Sequence, residues 1–141
     1  MKVEINIYND CSFKYLPKKK VINSLKNVFK YENLRSNVFV NIIYITDKEI
    51  LKINRKYLKH NSTTDVITFF LGDEKNTLEG EIYISIDTAI KQAKQYKVSL
   101  TNEIKRLAVH GALHLIGYDD NTIDKREIMH NLENKYIGNY R

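Results

Sequence analysis

His110-Gly111-Ala112-Leu113-His114-Leu115-Ile116-Gly117-Tyr118-Asp119-Asp120 places two histidines four residues apart in a largely apolar run. Side chains at i and i+4 of a helix stack on one face, so both imidazoles can reach one metal ion. Gly117 is suited to end the helix in a left-handed conformation that residues with a side chain adopt reluctantly. The chain then reverses, and a carboxylate from Asp119 or Asp120 can swing back to the same ion. Two histidines, one carboxylate and a position left for water make a catalytic zinc pattern, not a closed structural one. Most lone H-x-x-x-H pairs bind nothing. Here Leu107, Ala108, Leu113, Leu115 and Ile116 surround the pair, and histidines buried among them need partners that a metal would supply. Position 111 is Gly, where peptidases of the H-E-x-x-H type carry their general base, which argues against that chemistry.

Outward from this stretch the pattern predicts an α+β chain. Residues 2–8 alternate and read as a strand. Pro17 is expected to open a helix over residues 17–33, with Val21, Leu25, Val28 and Phe29 on its apolar face. Residues 38–45 are β-branched and read as a buried strand. Thr46-Asp47-Lys48-Glu49 is a capping box for a helix carrying Ile50, Leu51, Ile53, Asn54 and Tyr57. Residues 65–71 and 81–86 read as strands joined by a polar loop over 72–80. A helix over 87–97 has Ala89, Ile90 and Ala93 as its apolar face. Thr101 is expected to cap the histidine helix, and Thr122 to begin a last helix with Ile128, Met129, Leu132 and Tyr136 facing inward. The order predicts about five helices packed on one four-stranded mixed sheet.

The signature His110-Gly111-x-Leu113-His114-Leu115-x-Gly117-Tyr118-Asp119 resembles that of the YbeY family of bacterial endoribonucleases and ribosomal-RNA maturation factors. Ile53-Asn54-Arg55-Lys56-Tyr57 with Thr64-Asp65-Val66-Ile67-Thr68-Phe69 is similar to the family's L-N-x-x-Y and T-D-V-L-S-F, and Gly80-Glu81-Ile82-Tyr83-Ile84-Ser85 to its G-D-I-x-I-S. The resemblance runs from about residue 41 to 137. It implies the same architecture, with the histidine helix along a cleft beside the sheet. It also implies one zinc ion per chain on His110, His114 and the third ligand position. That position is usually histidine in the family and is Asp120 here; an Asp oxygen can ligate zinc. The family also usually carries an arginine after the L-N-x-x-Y tyrosine, implicated in its activity, where this chain has Leu58. That role does not transfer to leucine.

The 141 residues, 43% hydrophobic and 28% charged, suit one globular domain over 1–141. Cys11 is the single cysteine, so no intrachain disulfide can form, which fits a reducing cytoplasm. The N-terminus lacks a signal-peptide core, and no run approaches membrane-spanning length; a cytoplasmic location is expected. Net charge is +6, unevenly spread. Residues 1–70 hold 13 Lys and Arg against 6 Asp and Glu, while residues 71–141 hold 10 against 11. A basic half attracts phosphate backbones, although lysine-rich chains are often merely solvated. Lys52, Arg55, Lys56 and Lys59 are the candidate RNA contacts, and no membrane partner is expected.

A metal-bound water loses its proton more readily than free water, and the ion stabilises negative charge on a phosphate. On RNA this is phosphodiester hydrolysis. The general base is not evident: Asp65, Glu81 and Asp119 are candidates, each also readable as a structural acceptor, and Asp119 could instead orient a ligand histidine. His60 reads as a solvated loop residue or an RNA contact, and His130 as a helix-face residue or an alternative ligand. Tyr57 or Tyr118 could stack on bases. The favoured function is a single-strand-acting endoribonuclease in ribosomal-RNA maturation and ribosome quality control, with ribosomal RNA or the small subunit as partner. The alternatives are an RNA-binding factor with a mainly structural metal, and a metallohydrolase on another substrate.

Overall fold

The computed structural model describes residues 1–32, 34–58, 64–72 and 76–138. Its elements follow the expected order: β1 (Val3–Asn9), α1 (Lys19–Tyr31), β2 (Asn37–Ile45), α2 (Asp47–Ile53), β3 (Val66–Gly72), β4 (Thr77–Ser85), α3 (Ile86–Tyr96), α4 (Leu100–Leu115) and α5 (Ile123–Ile137). A π-helical turn, Asn54–Leu58, continues α2. The sheet runs β1-β2-β4-β3. β1 and β4 flank β2 in parallel, and β3 lies antiparallel on the outer edge of β4. The chain is therefore α+β, with one mixed four-stranded sheet and five α-helices among the described residues.

Alternation along the strands sorts two apolar faces. Val38, Val40, Ile42 and Tyr44 of β2, with Leu78, Ile82 and Ile84 of β4, meet α1, α3, α4 and α5 in the main core. Ile43, Ile45 and Ile67 face the other way, onto Ile50 of α2. No described helix is long and apolar enough to cross a membrane.

Caps account for most helix starts. Thr46 accepts from the Glu49 N–H at 3.3 Å, as its capping box predicts, and Thr122 accepts from the Lys125 N–H at 3.1 Å. Helix α4, however, starts at Leu100 under Ser99, not under Thr101: the Ser99 hydroxyl accepts from the Asn102 N–H at 3.0 Å. Starting two residues earlier lets Leu100 pack on the main core. Pro17 does not open α1 either. It precedes the Lys18 cap, and its carbonyl accepts the Tyr44 hydroxyl.

Two further expectations are corrected. Strand β4 begins at Thr77, inside the stretch read as loop, because all nine residues pair in parallel with β2. Gly80 belongs to the strand, and a Cβ there would stand 2.6 Å from Leu115 Cδ2. In α5, Met129 and Tyr136 turn inward and Leu132 packs on the core as expected, but Ile128 is 53% exposed, and Glu133 and Ile137 are buried. That rotation buries a carboxylate, whose reason lies in the metal centre described below.

Helix α4 crosses β3 and β4 at Gly111. A Cβ at this position would lie 2.9 Å from Ile82 Cγ2 and 3.0 Å from Thr68 Oγ1. Ile82 is fully buried and cannot swing aside. Gly111→Ala adds helix propensity of about 1 kcal/mol but overpacks the contact, which costs about 1–3 kcal/mol. A net loss of stability is expected, seen in urea unfolding as a lower midpoint with unchanged slope.

Candidate metal centre

Helix α4 turns Leu107, Ala108, Ala112 and Leu113 into the core and leaves His110 and His114 half-buried toward a cleft. Its end is built as the sequence implies. Gly117 has φ 109°, its N–H donates to the His114 carbonyl at 3.1 Å, and the Tyr118 N–H donates to the Leu113 carbonyl at 3.0 Å. This paired closure reverses the chain and returns Asp120 to the histidines.

Three ligand atoms converge. His110 Nε2 and His114 Nε2 stand 3.0 Å apart. Asp120 Oδ2 lies 3.4 Å from the first and 3.7 Å from the second. Tetrahedral zinc with bonds of about 2.0–2.1 Å separates its ligand atoms by about 3.3 Å. The triangle is of the size that three ligand atoms of one such ion would span. Two imidazoles and one carboxylate are also a donor set that suits zinc chemically.

A buried carboxylate fixes His110. Glu133 of α5 stands 2.7 Å from His110 Nδ1 through Oε2 and accepts from Arg106 Nη1 at 3.0 Å through Oε1. Arg106 Nη2 donates to Asn134 Oδ1 at 2.6 Å. Burial alone would disfavour both charges. It pulls the His110 imidazole down, but the hydrogen bond and charge of Glu133 outweigh it and raise His110 overall, with Asp120 and Asp65 adding. Burial pushes the Glu133 carboxyl up, and His110 and Arg106 together hold it below the usual carboxylate range. Donating Nδ1–H to Glu133 leaves the Nε2 lone pair for a ligand.

The cleft has two lobes. One, of about 560 Å³, runs along β3 past Asn54, Leu58, Thr64, Thr68 and Phe70. The other, of about 210 Å³, lies between α4 and α5. Asp65, His110 and Asp120 line both and form the wall between them, while His114 lines the larger lobe alone.

Other candidate residues sit as follows. Asp65 lines the cleft and accepts from Gln92 Nε2 at 3.2 Å. Glu81 lies on the opposite face of the sheet with Tyr57, Phe69 and Tyr83. Asp119 is exposed and accepts the Asp120 N–H at 2.9 Å; the carboxylate that orients His110 is Glu133. Asn54 and Leu58, four apart, face the cleft, whereas Lys52, Arg55 and Lys56 do not line it. Lys52 pairs with Glu49 at 3.6 Å, and Lys56 lies over the Tyr57 ring. Lys59 and His60 are outside the described residues. Tyr118 donates to Glu32 Oε1 at 2.6 Å, fastening the turn after α4 to the end of α1. The Cys11 thiol is raised by burial and lies 2.9 Å from Asn9 Oδ1.

Glu133 and Arg106 are the functional residues that sequence reading missed. The available signal was a charge on an apolar face: Glu133 follows Met129 by four and precedes Tyr136 and Ile137 by three and four. A charge placed there must have a buried partner.

The chain is similar to known proteins over nearly its whole length. Residues 6–141 match the family model described as Endoribonuclease YbeY. An Endoribonuclease YbeY of Amoebophilus asiaticus is 40% identical over 136 residues, 94% of this chain and 91% of that protein. One of Chlorobium phaeobacteroides is 33% identical, covering 96% of each. The solution structure of a Thermotoga maritima protein superposes with a TM-score of 0.62 at 26% identity, over 95% of this chain and 87% of that one.

Removing one partner of a buried ion pair strands the other, at a cost of about 3–5 kcal/mol. Glu133→Ala is expected to destabilise the fold by that amount, measured by chemical denaturation. Asp119→Ala, on an exposed turn, should change stability by about 0.5 kcal/mol or less.

Proposed function

This chain belongs to the Endoribonuclease YbeY family, and from that premise we propose that it is a zinc-dependent endoribonuclease. It cuts single-stranded ribosomal RNA in the cytoplasm, in maturation and quality control of the small ribosomal subunit. One ion is held by His110, His114 and Asp120. The observation that carries this reading is the convergence of those three ligand atoms, all within 4.8 Å of one another, on the wall of an open cleft. When bound, the ion supplies Lewis-acid polarisation of a phosphoryl oxygen and a more acidic water.

The chain's own residues supply the rest. Glu133 sets the His110 tautomer and ring orientation. Thr64 and Thr68 line the β3 side of the cleft and can hydrogen-bond ribose or phosphate oxygens. Of the three carboxylates weighed as general base, Asp65 is the one that lines the cleft, and Gln92 holds its Oδ2. We assign it the proton-accepting role, within reach of a strand laid across the trio. The basic surplus of residues 1–70 draws the phosphate backbone in at long range.

The test is cleavage of a single-stranded RNA by metal-loaded protein beside a His114→Ala control. Cleavage by the parent, lost in the control and on chelation, is the expected result. Metal content should fall far more in Asp120→Ala than in Asp119→Ala, and RNA affinity should drop steeply with added salt as counterions are released. RNA binding with no metal-dependent cleavage would make the protein an RNA-binding factor instead.

A further inference from the structure

We infer that the lobe between α4 and α5 is a phosphate subsite in which Arg126 and His130 hold a phosphodiester of the bound strand. The identity of that strand rests on the nuclease reading; anion binding by the lobe does not.

The argument begins with charge. Among the described residues that line the larger lobe there is no Lys or Arg, while Asp65 and Asp120 are both there. Among those residues, a phosphodiester lying in that lobe meets two carboxylates and no Lys or Arg. The smaller lobe shares Asp65 and Asp120 and adds Glu133, but it also has cations: Arg106, Arg126 and His130 line it.

The two arginines are placed differently. Arg106 is buried, and its two terminal nitrogens are engaged by Glu133 at 3.0 Å and Asn134 at 2.6 Å. Its Nε–H has no hydrogen-bond acceptor among the described residues, although buried donors are nearly always satisfied. Arg126 is exposed on α5. One long hydrogen bond, from Nη1 to the Asp120 carbonyl at 3.4 Å, leans it toward the metal trio. A guanidinium has five N–H donors, stays charged at any relevant pH and grips phosphate oxygens in pairs. Placed this way, Arg126 can bind an anion without giving up an ion pair, because the bond it makes is to a neutral carbonyl.

His130 completes the lobe. Four residues after Arg126, it sits on the same face of α5, with Nδ1 4.0 Å from Glu133 Oε1. A strand crossing the trio would thus bring a phosphate between Arg126 and His130. Arg126 is a positioning residue in this arrangement, acting on substrate binding.

Metal-loaded parent, Arg126→Ala and Arg126→Lys proteins test the inference by two probes. The first is inorganic phosphate at low ionic strength, followed by the ring-proton NMR signals of His130. The parent should show a saturable shift that Arg126→Ala loses and Arg126→Lys partly keeps. The second is single-stranded RNA. Arg126→Ala should weaken binding about tenfold, lower the salt slope by about one, and raise KM more than it lowers kcat, with metal content equal to the parent's. Loss of metal in Arg126→Ala would overturn the inference, because Arg126 would then be a strut for Asp120. Unchanged RNA affinity and salt slope in a cleaving enzyme would also overturn it, leaving the nuclease reading intact. An Arg126-dependent phosphate shift in a parent that cleaves no RNA would reject the nuclease reading and uphold the anion subsite.

Discussion

Helix α4 can lie where it does because position 111 has no side chain. Its backbone comes close enough to the sheet that a single Cβ would press on Ile82 and Thr68. The nearness lets Leu113 and Leu115 reach the core and seats Leu115 over Gly80. It also decides which way the neighbours of Gly111 point. With one face of α4 pressed on the sheet, the flank carrying His110 and His114 opens along β3, the edge strand. The same glycine that rules out a peptidase-type glutamate between the histidines is what brings the helix down onto the sheet.

Around that contact the molecule buries charge that a purely structural core would avoid. Arg106, Glu133 and Asn134 are all buried, and a buried ion pair seldom adds net stability over a well-packed apolar substitute. Here the pair holds an imidazole. Glu133 has one oxygen for the guanidinium and the other for His110, so the cost of desolvation maintains a ring orientation. Glu32 does similar work on a second ligand segment. Its carboxylate accepts the hydroxyls of Tyr118 and Tyr136, tying the turn that leads to Asp120 to α1 and to the last helix.

Much of this was legible in the sequence where local rules act alone. The order of elements, the mixed sheet, the Thr46 and Thr122 caps, and the reversal at Gly117 follow from periodicity and hydrogen-bonding chemistry within a few residues. What escaped depends on contacts distant in the chain. Gly80 looks like a loop residue until Leu115 is seated above it. Ile128 looks like a core residue until Glu133 is drawn inward by Arg106. The meeting of His110 and His114 with a carboxylate was readable because all lie within eleven residues on a helix and its cap, but spacing left Asp119 and Asp120 open, and only the family resemblance pointed to Asp120. Arg106 and Glu133 were not, because 27 residues separate them and each alone resembles a surface charge. The lysines near Tyr57 drew attention by composition, yet the π-helical turn presents Asn54 and Leu58 to the cleft.

The span of the Glu32 contacts bears on when the site comes into being. Its partners lie 86 and 104 residues further along the chain. A polypeptide emerging from its N-terminus folds what has already appeared. Strands β1 and β2 can pair early, and the histidines can enter a helix once α4 is made. Until residue 133 has been synthesised, however, Arg106 has no counter-charge and His110 no acceptor at Nδ1. The arrangement of Arg106, Glu133 and His110 therefore cannot form before helix α5 is available. A chain that lacks α5 carries His110 and His114 without the contact that orients His110, so any activity of this centre requires the last helix to be in place.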